Sequence, residues 1–337
     1  MTVRIGVIGV GMIGQEHIRR VTHALSGGRI VAVSDVDRGR AEKVATSVPD
    51  VRVHAAGEDL IRSKDVDAVL ITSSGQTHEQ YVLASIAAGK PVFCEKPLAT
   101  TEDACSHIVD AEVATGRRLV QVGFMRRYDG AYRALKEAVA AGRVGAPLLV
   151  HCAHRNPKVP DGYVTEMAIH DTAIHEIDVI RWLLDEEIIA TRVLRPRRNS
   201  RASAHLLDPL VVMLETESAV LVDIEVSVNI GYGYDVRCEV SGETGTVALG
   251  ETSSVTLRVG GASSGQIPTG WQERFGRAYD IEIQEWIDGL AQGRLSGPNA
   301  WDGYAAAAVS DRAVRALKTG ERATVSLREK PELYEVR

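Results

Sequence analysis

The sequence predicts a two-part chain: an α/β domain of parallel strands alternating with helices, followed by an α+β domain on a large, open, mostly antiparallel sheet. Three observations carry this expectation. Val/Ile-rich runs alternate with amphipathic segments up to residue 122, a glycine-rich turn joins the first such run to the first amphipathic segment, and past residue 185 the apolar pattern changes to period two. The length agrees, since 337 residues at about 150 per domain make two domains, each able to bury a core without metal or disulfide staples. The expected division is 1–122 and 123–337.

Residues 3 to 10, VRIGVIGV, form a short apolar run ending in glycines and read as a buried parallel strand. A helix follows from Ile13 to Leu25, apolar at Ile13, Ile18, Val21 and Leu25, and stops at Ser26-Gly27-Gly28, where glycine accepts the left-handed geometry of a helix end. The pattern continues with strand Arg29 to Ser34, helices Asp37 to Ser47 and Gly57 to Ser63, strand Ala68 to Thr72, helix Thr77 to Ala88, strand Pro91 to Cys94, helix Thr101 to Thr115 and strand Leu119 to Val122. Such alternation requires right-handed crossovers and a parallel sheet.

Between the first strand and first helix lies Gly9-Val10-Gly11-Met12-Ile13-Gly14, with the G-x-G-x-x-G spacing. The first glycine permits the tight turn, the second lets backbone approach a pyrophosphate, and the third lets helix pack on strand, while the helix N-terminus offers free N–H groups to the anion. The second strand ends at Asp35, about 20 residues on, where a carboxylate holds an adenosine ribose hydroxyl. The first domain is therefore expected to be a Rossmann dinucleotide-binding domain. Asp35 and Asp37 repel a 2′-phosphate, Arg38 and Arg40 offset this in part, and NAD is favoured over NADP.

In the second domain Val220, Val222, Ile224, Val226 and Val228 alternate with Leu221, Asp223, Glu225 and Ser227, giving one apolar and one largely polar face over Ala219 to Val228. Further strands are expected at Pro147 to His154, Ile188 to Arg195, Leu210 to Thr216, Asp235 to Ser241, Thr246 to Leu249 and Val255 to Val259, all in one open antiparallel sheet. Two helices close the chain, Gln272 to Ala291 and Trp301 to Thr319.

Composition narrows the function classes. The longest stretch without Asp, Glu, Lys or Arg, Val259 to Gln272, is broken by glycines and Pro268, so no membrane span is expected. The start of the chain offers no apolar helical leader, and a cytoplasmic location is expected. Cys94, Cys105, Cys152 and Cys238 are scattered, which suggests buried free thiols and no metal site. With 39 basic against 45 acidic residues, net −6, the chain has no overall field for nucleic acid. The cluster Arg192, Arg195, Arg197, Arg198 and Arg201 reads as a strand end or subunit contact.

One segment has a chemical character of its own: Asp171, His175 and Asp178 share one helix face, opposite Ile174, Ile177, Ile180 and Leu184. By itself this spacing is more often a capped, solvated or structurally paired set than a catalytic one. Together with GVIGVGMIG at the N-terminus and Cys94-Glu95-Lys96-Pro97, it resembles the Gfo/Idh/MocA family of sugar and cyclitol oxidoreductases. The segments GFMRRYD from Gly123, HCAHRNP from His151, HEIDVIRWLL from His175, GYGYD from Gly231 and GPNAWDGY from Gly297 extend the resemblance along nearly the whole chain.

That resemblance implies oxidation of a ring secondary alcohol to a ketone, with hydride passing to a nicotinamide and the hydroxyl proton to the protein. It assigns His175 as general base, Asp171 as the carboxylate supporting it and Lys96 as the group that polarises the hydroxyl. It further implies a cofactor set of Gly9, Gly11, Met12, Ile13, Gly14, Asp35, Val36, Ser73, His78, Glu95 and Lys96. Hydroxyl contacts fall to Arg126, His154, Asn156 and Tyr234, besides Lys96, Asp171 and His175. The expected substrate is myo-inositol, a neutral polyol, oxidised at the carbon bearing its axial hydroxyl. Another cyclitol or aldose, such as scyllo-inositol or glucose, and a non-catalytic NAD-binding regulator are the alternatives. A homotetramer formed through the open sheet is also implied.

Overall fold

The computed structural model describes residues 2–250 and 256–335. It separates into two compact units, one made of residues 1–124, 279–307 and 327–337 and the other of 125–278 and 308–326.

The first unit follows the expected alternation: β1 (Val3–Ile8), α1 (Met12–His23), β2 (Gly28–Ser34), α2 (Arg38–Ser47), β3 (Arg52–Val53), α3 (Gly57–Arg62), β4 (Ala68–Ile71), α4 (His78–Ala87), β5 (Val92–Glu95), α5 (Glu102–Ala114) and β6 (Val120–Gly123). The strands pair in parallel in the order β3-β2-β1-β4-β5-β6. This is the doubly wound order whose halves diverge at β1 and β4, and there the strand C-termini open a crevice for a ligand. All four residues of β4 are buried, as befits a strand covered by helices on both faces.

The second unit begins with a helix that the sequence reading passed over, α6 (Gly130–Ala140). Its start is set by Asp129, whose carboxylate accepts the Tyr132 N–H at 3.2 Å, and Tyr132 and Leu135 anchor its buried face. Then come β7 (Pro147–Arg155), a π-helical turn at Ala168–Ala173, α7 (Ile174–Leu184), β8 (Ile188–Leu194), β9 (Leu210–Thr216), β10 (Leu221–Ser227), β11 (Asp235–Gly242), β12 (Thr246–Ala248), β13 (Thr256–Val259), β14 (Ala262–Gly265), α8 (Trp271–Ala291), α9 (Ala300–Thr319) and β15 (Ala323–Thr324).

The large sheet has seven strands in the order β12-β11-β7-β10-β9-β8-β15. It is mixed: β7 and β10 run parallel, with Ile224 opposite Cys152, while the other pairs are antiparallel. The predicted alternation in β10 is real, since Val220, Val222, Ile224, Val226 and Val228 are all buried. Residues 256–259 do not join this sheet; they pair with β14 in a separate exposed hairpin, and Val255, the first residue of the expected strand, lies outside the described residues.

The expected boundary at 122/123 marks only where the chain first leaves unit 1. The chain re-enters unit 1 because Ile283, Trp286 and Ile287 of α8 complete the core formed by Ile5, Val7, Leu70 and Phe93. Near its end, Arg328 donates to Ser106 Oγ at 2.7 Å and the Tyr334 hydroxyl to Glu112 at 2.6 Å. Within the arginine cluster, Arg198 donates to the carbonyls of Ala202 (2.6 Å) and Leu206 (3.2 Å), and Arg195 to that of Leu317, so both fasten loop and helix ends. All four cysteines are buried thiols outside any disulfide. Among the described residues no helix is long and apolar enough to cross a membrane, and no cluster of three His, Cys, Asp or Glu side chains suits a metal ion.

Candidate active site

In unit 1 the expected cofactor residues gather at the C-terminal ends of β1, β2, β4 and β5. The three glycines divide the labour by geometry. Gly9 has φ +89°, and a Cβ there would lie 2.4 Å from Ser73 Cα; at Gly14 it would lie 2.2 Å from the Gly9 carbonyl oxygen. At Gly11 a Cβ would meet nothing within 4 Å. The turn thus holds two glycines for packing and one that leaves open space before the N-terminus of α1, a cradle fit for a pyrophosphate.

Asp35 closes this turn from β2: its Oδ2 accepts the Val10 N–H at 2.7 Å and its Oδ1 the Asp37 N–H at 2.8 Å. These bonds fix the carboxylate while leaving acceptor capacity for a ribose hydroxyl. The arginines that seemed to invite a phosphate are engaged, Arg38 with Glu42 at 2.8 Å and Arg40 with Asp35 and Asp37. Met12 and Val36 are exposed beside the turn and Ile13 is half-buried.

Ser73 and His78 follow β4. The His78 ring nitrogens lie 3.1 Å from the Ser73 carbonyl oxygen and 2.7 Å from that of Pro97, and the one N–H of the neutral ring donates to one of them. Burial pushes its pKa below the usual histidine value, so the ring is neutral. At the end of β5, Glu95 Oε2 accepts the Lys96 N–H at 3.2 Å, and Oε1 lies 2.7 Å from Nε2 of the fully buried His17 on α1. His17 was not singled out in the sequence; a histidine on the inner face of an amphipathic helix is the only signal it offers.

In unit 2 the π-helical turn carries His170 and Asp171, and α7 continues with His175 in its first turn. π turns are rare and concentrate at functional sites. His175 is buried, and its ring lies 6.1 Å, centre to centre, from that of His154 on β7. Tyr234 meets His154 edge-on at 5.7 Å. Burial pushes the Tyr234 hydroxyl up to about 12, so it remains a neutral donor. Asp171 is half-buried, and its charge adds to burial in pushing the Tyr163 hydroxyl up. Half-buried Asn156 is pinned by its backbone, its N–H donating to Ser227 at 2.8 Å and its carbonyl accepting from Ile230 at 3.0 Å.

Two residues of this region sit in buried ion pairs. The Asp178 carboxylate, 1% exposed, accepts Arg127 Nε at 3.0 Å and Nη2 at 2.5 Å. Arg126 is likewise 1% exposed and bonded within the protein, to Glu176 and to His154 Nδ1 (3.0 Å). Glu176 was missed; its signal was a carboxylate beside Ile174 and Ile177 on a helix buried on nearly every side, which needs a buried partner.

A doubly wound sheet with this glycine turn and terminal aspartate, in a chain that also carries a Lys, Asp and His of acid–base character, defines a nicotinamide-dependent oxidoreductase. The chain belongs to the Gfo/Idh/MocA oxidoreductase family, whose NAD-binding Rossmann-fold model matches residues 3–124 and whose C-terminal alpha/beta domain matches residues 136–327. It is 56% identical over 337 residues to an inositol 2-dehydrogenase of Agrobacterium fabrum, covering 99% of this chain and 100% of that one. Inositol 2-dehydrogenase 3 of Saccharopolyspora erythraea is 54% identical over 334 residues, 99% and 98% covered. Among solved structures, myo-inositol dehydrogenase from Lactobacillus casei, in complex with NAD(H) and myo-inositol, matches with a TM-score of 0.97 at 40% identity, covering 99% of this chain and 100% of that one.

Proposed function

We propose that this protein is an NAD-dependent inositol 2-dehydrogenase that oxidises myo-inositol to 2-keto-myo-inositol (scyllo-inosose). The observation that carries the reading is end-to-end likeness above half identity to inositol 2-dehydrogenases, joined to His154 beside His175 and Tyr234 beside His154. NAD, when bound, supplies the hydride acceptor. Gly9, Gly11 and Gly14 shape its phosphate cradle, Asp35 takes the ribose, and Met12, Ile13, Val36, Ser73, His78 and Glu95 complete its surroundings.

The protein's part is the proton and the developing charge. His175 takes the hydroxyl proton on a ring nitrogen, Asp171 supports the imidazolium so formed, and Lys96 Nζ stabilises the oxygen as it becomes an alkoxide. His154, Asn156 and Tyr234 offer mixed donors and acceptors to the remaining hydroxyls. A site built to pair hydroxyls rejects isomers that leave its buried polar groups unpaired, by more than the tenfold that about 1.4 kcal/mol supplies.

The same reading gives NAD binding to the unit that opens with residues 1–122, and substrate binding and oligomerisation to the second unit, in a cytoplasmic homotetramer. Its support is the outward face of the large sheet, where exposed Leu149, Leu221 and Leu194 lie with half-buried Val211 and Met213 on neighbouring strands; light scattering tests the number. The decisive experiment measures NADH formation with myo-inositol, scyllo-inositol, D-chiro-inositol and D-glucose under one set of conditions. The expected result is the highest kcat/KM for myo-inositol; a tenfold lead for scyllo-inositol or glucose overturns the substrate assignment.

A further inference from the structure

Helix α7 is buried on nearly every side, yet it carries Glu176, Asp178 and Arg181 among Ile174, Ile177, Val179 and Ile180. A carboxylate out of water is too costly to keep without partners. Asp178 has Arg127, and Arg181 has Glu187 at 2.6 Å. Glu176, at 0% exposure, divides its carboxylate: Oε1 accepts Arg126 Nη1, and Oε2 lies 3.1 Å from His154 Nδ1. Arg126 Nη2 approaches that same ring nitrogen at 3.0 Å.

Two consequences follow from this triad. His154 Nδ1 is committed inside the protein in either protonation state, donating to Glu176 or accepting from Arg126, so the ring is held in one orientation with Nε2 as its other polar atom. The charge of Arg126 is also cancelled on the spot. Burial works against both ions, but Glu176 holds the guanidinium charged, and Arg126, then His154, bring the Glu176 carboxyl below its ordinary value despite burial. The rings of Phe275 and Tyr132 lie 5.7 and 5.9 Å from the guanidinium carbon and complete its surroundings.

We infer that Glu176 is a positioning residue for the dehydrogenase, orienting His154 and neutralising Arg126 so that the residues about His175 receive an uncharged polyol. The inference rests on the inositol-oxidation reading. It moves Arg126 from the substrate-contacting set to the support of His154.

The experiment uses the full-length protein in three forms: wild type, Glu176→Gln, and the double variant Arg126→Met with Glu176→Met. The single exchange leaves a buried guanidinium uncompensated and is expected to lower Tm strongly. The double exchange removes both charges with side chains of similar length, a replacement that is often neutral or stabilising for a buried pair. The double variant is expected to keep a Tm near wild type and an unchanged KM for NAD. Its KM for myo-inositol should rise about ten- to a hundredfold, the worth of one hydrogen bond to a charged group, with a smaller fall in kcat. A folded double variant with the wild-type KM for myo-inositol overturns the inference, since the triad is then core packing alone. Nitrogen NMR of histidine-labelled wild type, assigned with His154→Gln, gives a test independent of variant folding. A single environment for His154 Nδ1 is expected, and two environments for it, as a flipping ring gives, refute the assignment. A wild type inactive on myo-inositol overturns the functional reading instead, while the NMR result still decides the orientation of His154.

Discussion

Replacing Gly11 and Gly14 separately by alanine distinguishes a glycine kept for a ligand from one kept for packing. At Gly14 the new Cβ would stand 2.2 Å from the Gly9 carbonyl oxygen and 2.7 Å from Thr72 Oγ1. A carbon and a carbonyl oxygen rest at about 3.3 Å or more, so turn and helix must separate by roughly 1 Å. Since the atom struck is backbone, the cost belongs at the upper end of overpacking, about 3 kcal/mol, or roughly 6–12 °C in the unfolding midpoint of a unit the size of the first one. At Gly11 there is no neighbour within 4 Å, and φ −70° with ψ −160° suits any residue. The loss of glycine at the helix N-cap and the entropy removed from the unfolded chain are each below about 1 kcal/mol and opposed in sign. Gly11→Ala should therefore unfold within a few degrees of wild type. It should nevertheless raise KM for NAD at least about tenfold, roughly 1.4 kcal/mol, and lose much of the Tm gain that NAD gives the wild type. Thermal unfolding with and without NAD, beside steady-state kinetics, reads both effects. If Gly11→Ala is destabilised as much as Gly14→Ala, or keeps the wild-type KM, the open space at Gly11 is not where the pyrophosphate lies.

Asp35→Ser combined with Val36→Arg should move the kcat/KM preference toward NADP, and equal use of both cofactors by the wild type would remove Asp35 from the ribose. Lys96→Met, His175→Ala and Asp171→Asn should each reduce kcat, by about 10² to 10⁴ for the general base, with KM for NAD little changed; an unaltered kcat in His175→Ala would leave Lys96 as the base. His78 links stability to pH: burial keeps its folded pKa below the ordinary 6.5, so the unfolded chain binds the proton first. Stability should fall as pH drops below 6.5 toward the folded value and be fully present above it. His78→Gln should flatten that part of the Tm–pH curve, and parallel curves would contradict the assignment.

The sequence by itself determined the parallel strands of the first unit, the G-x-G-x-x-G turn with Asp35 beyond it, the strand period of residues 220–228 and the closing helices. Each is written in neighbouring residues: buried strands need unbroken Val/Ile runs, a half-covered strand needs alternation, and a turn packed against Ser73 and Thr72 needs glycine. Helix α6 is equally local, with Asp129 as its cap and Tyr132 and Leu135 on its buried face, yet it is missing from the expected elements. Tertiary structure decided the rest. The parallel pairing of β7 with β10, the placement of 256–259 in a hairpin of its own and the return of Trp286 and Tyr334 to the first unit depend on partners far away in the chain. So do the groups around the site, since His17 meets Glu95 78 residues on, and Arg126 meets Glu176 50 residues on. The family resemblance puts Arg126 among the substrate contacts, and helical spacing puts Asp178 on the Asp171–His175 face. Only folding shows each neutralised by a buried partner, because the cost of burying a charge is met by whichever opposite charge the tertiary fold brings beside it.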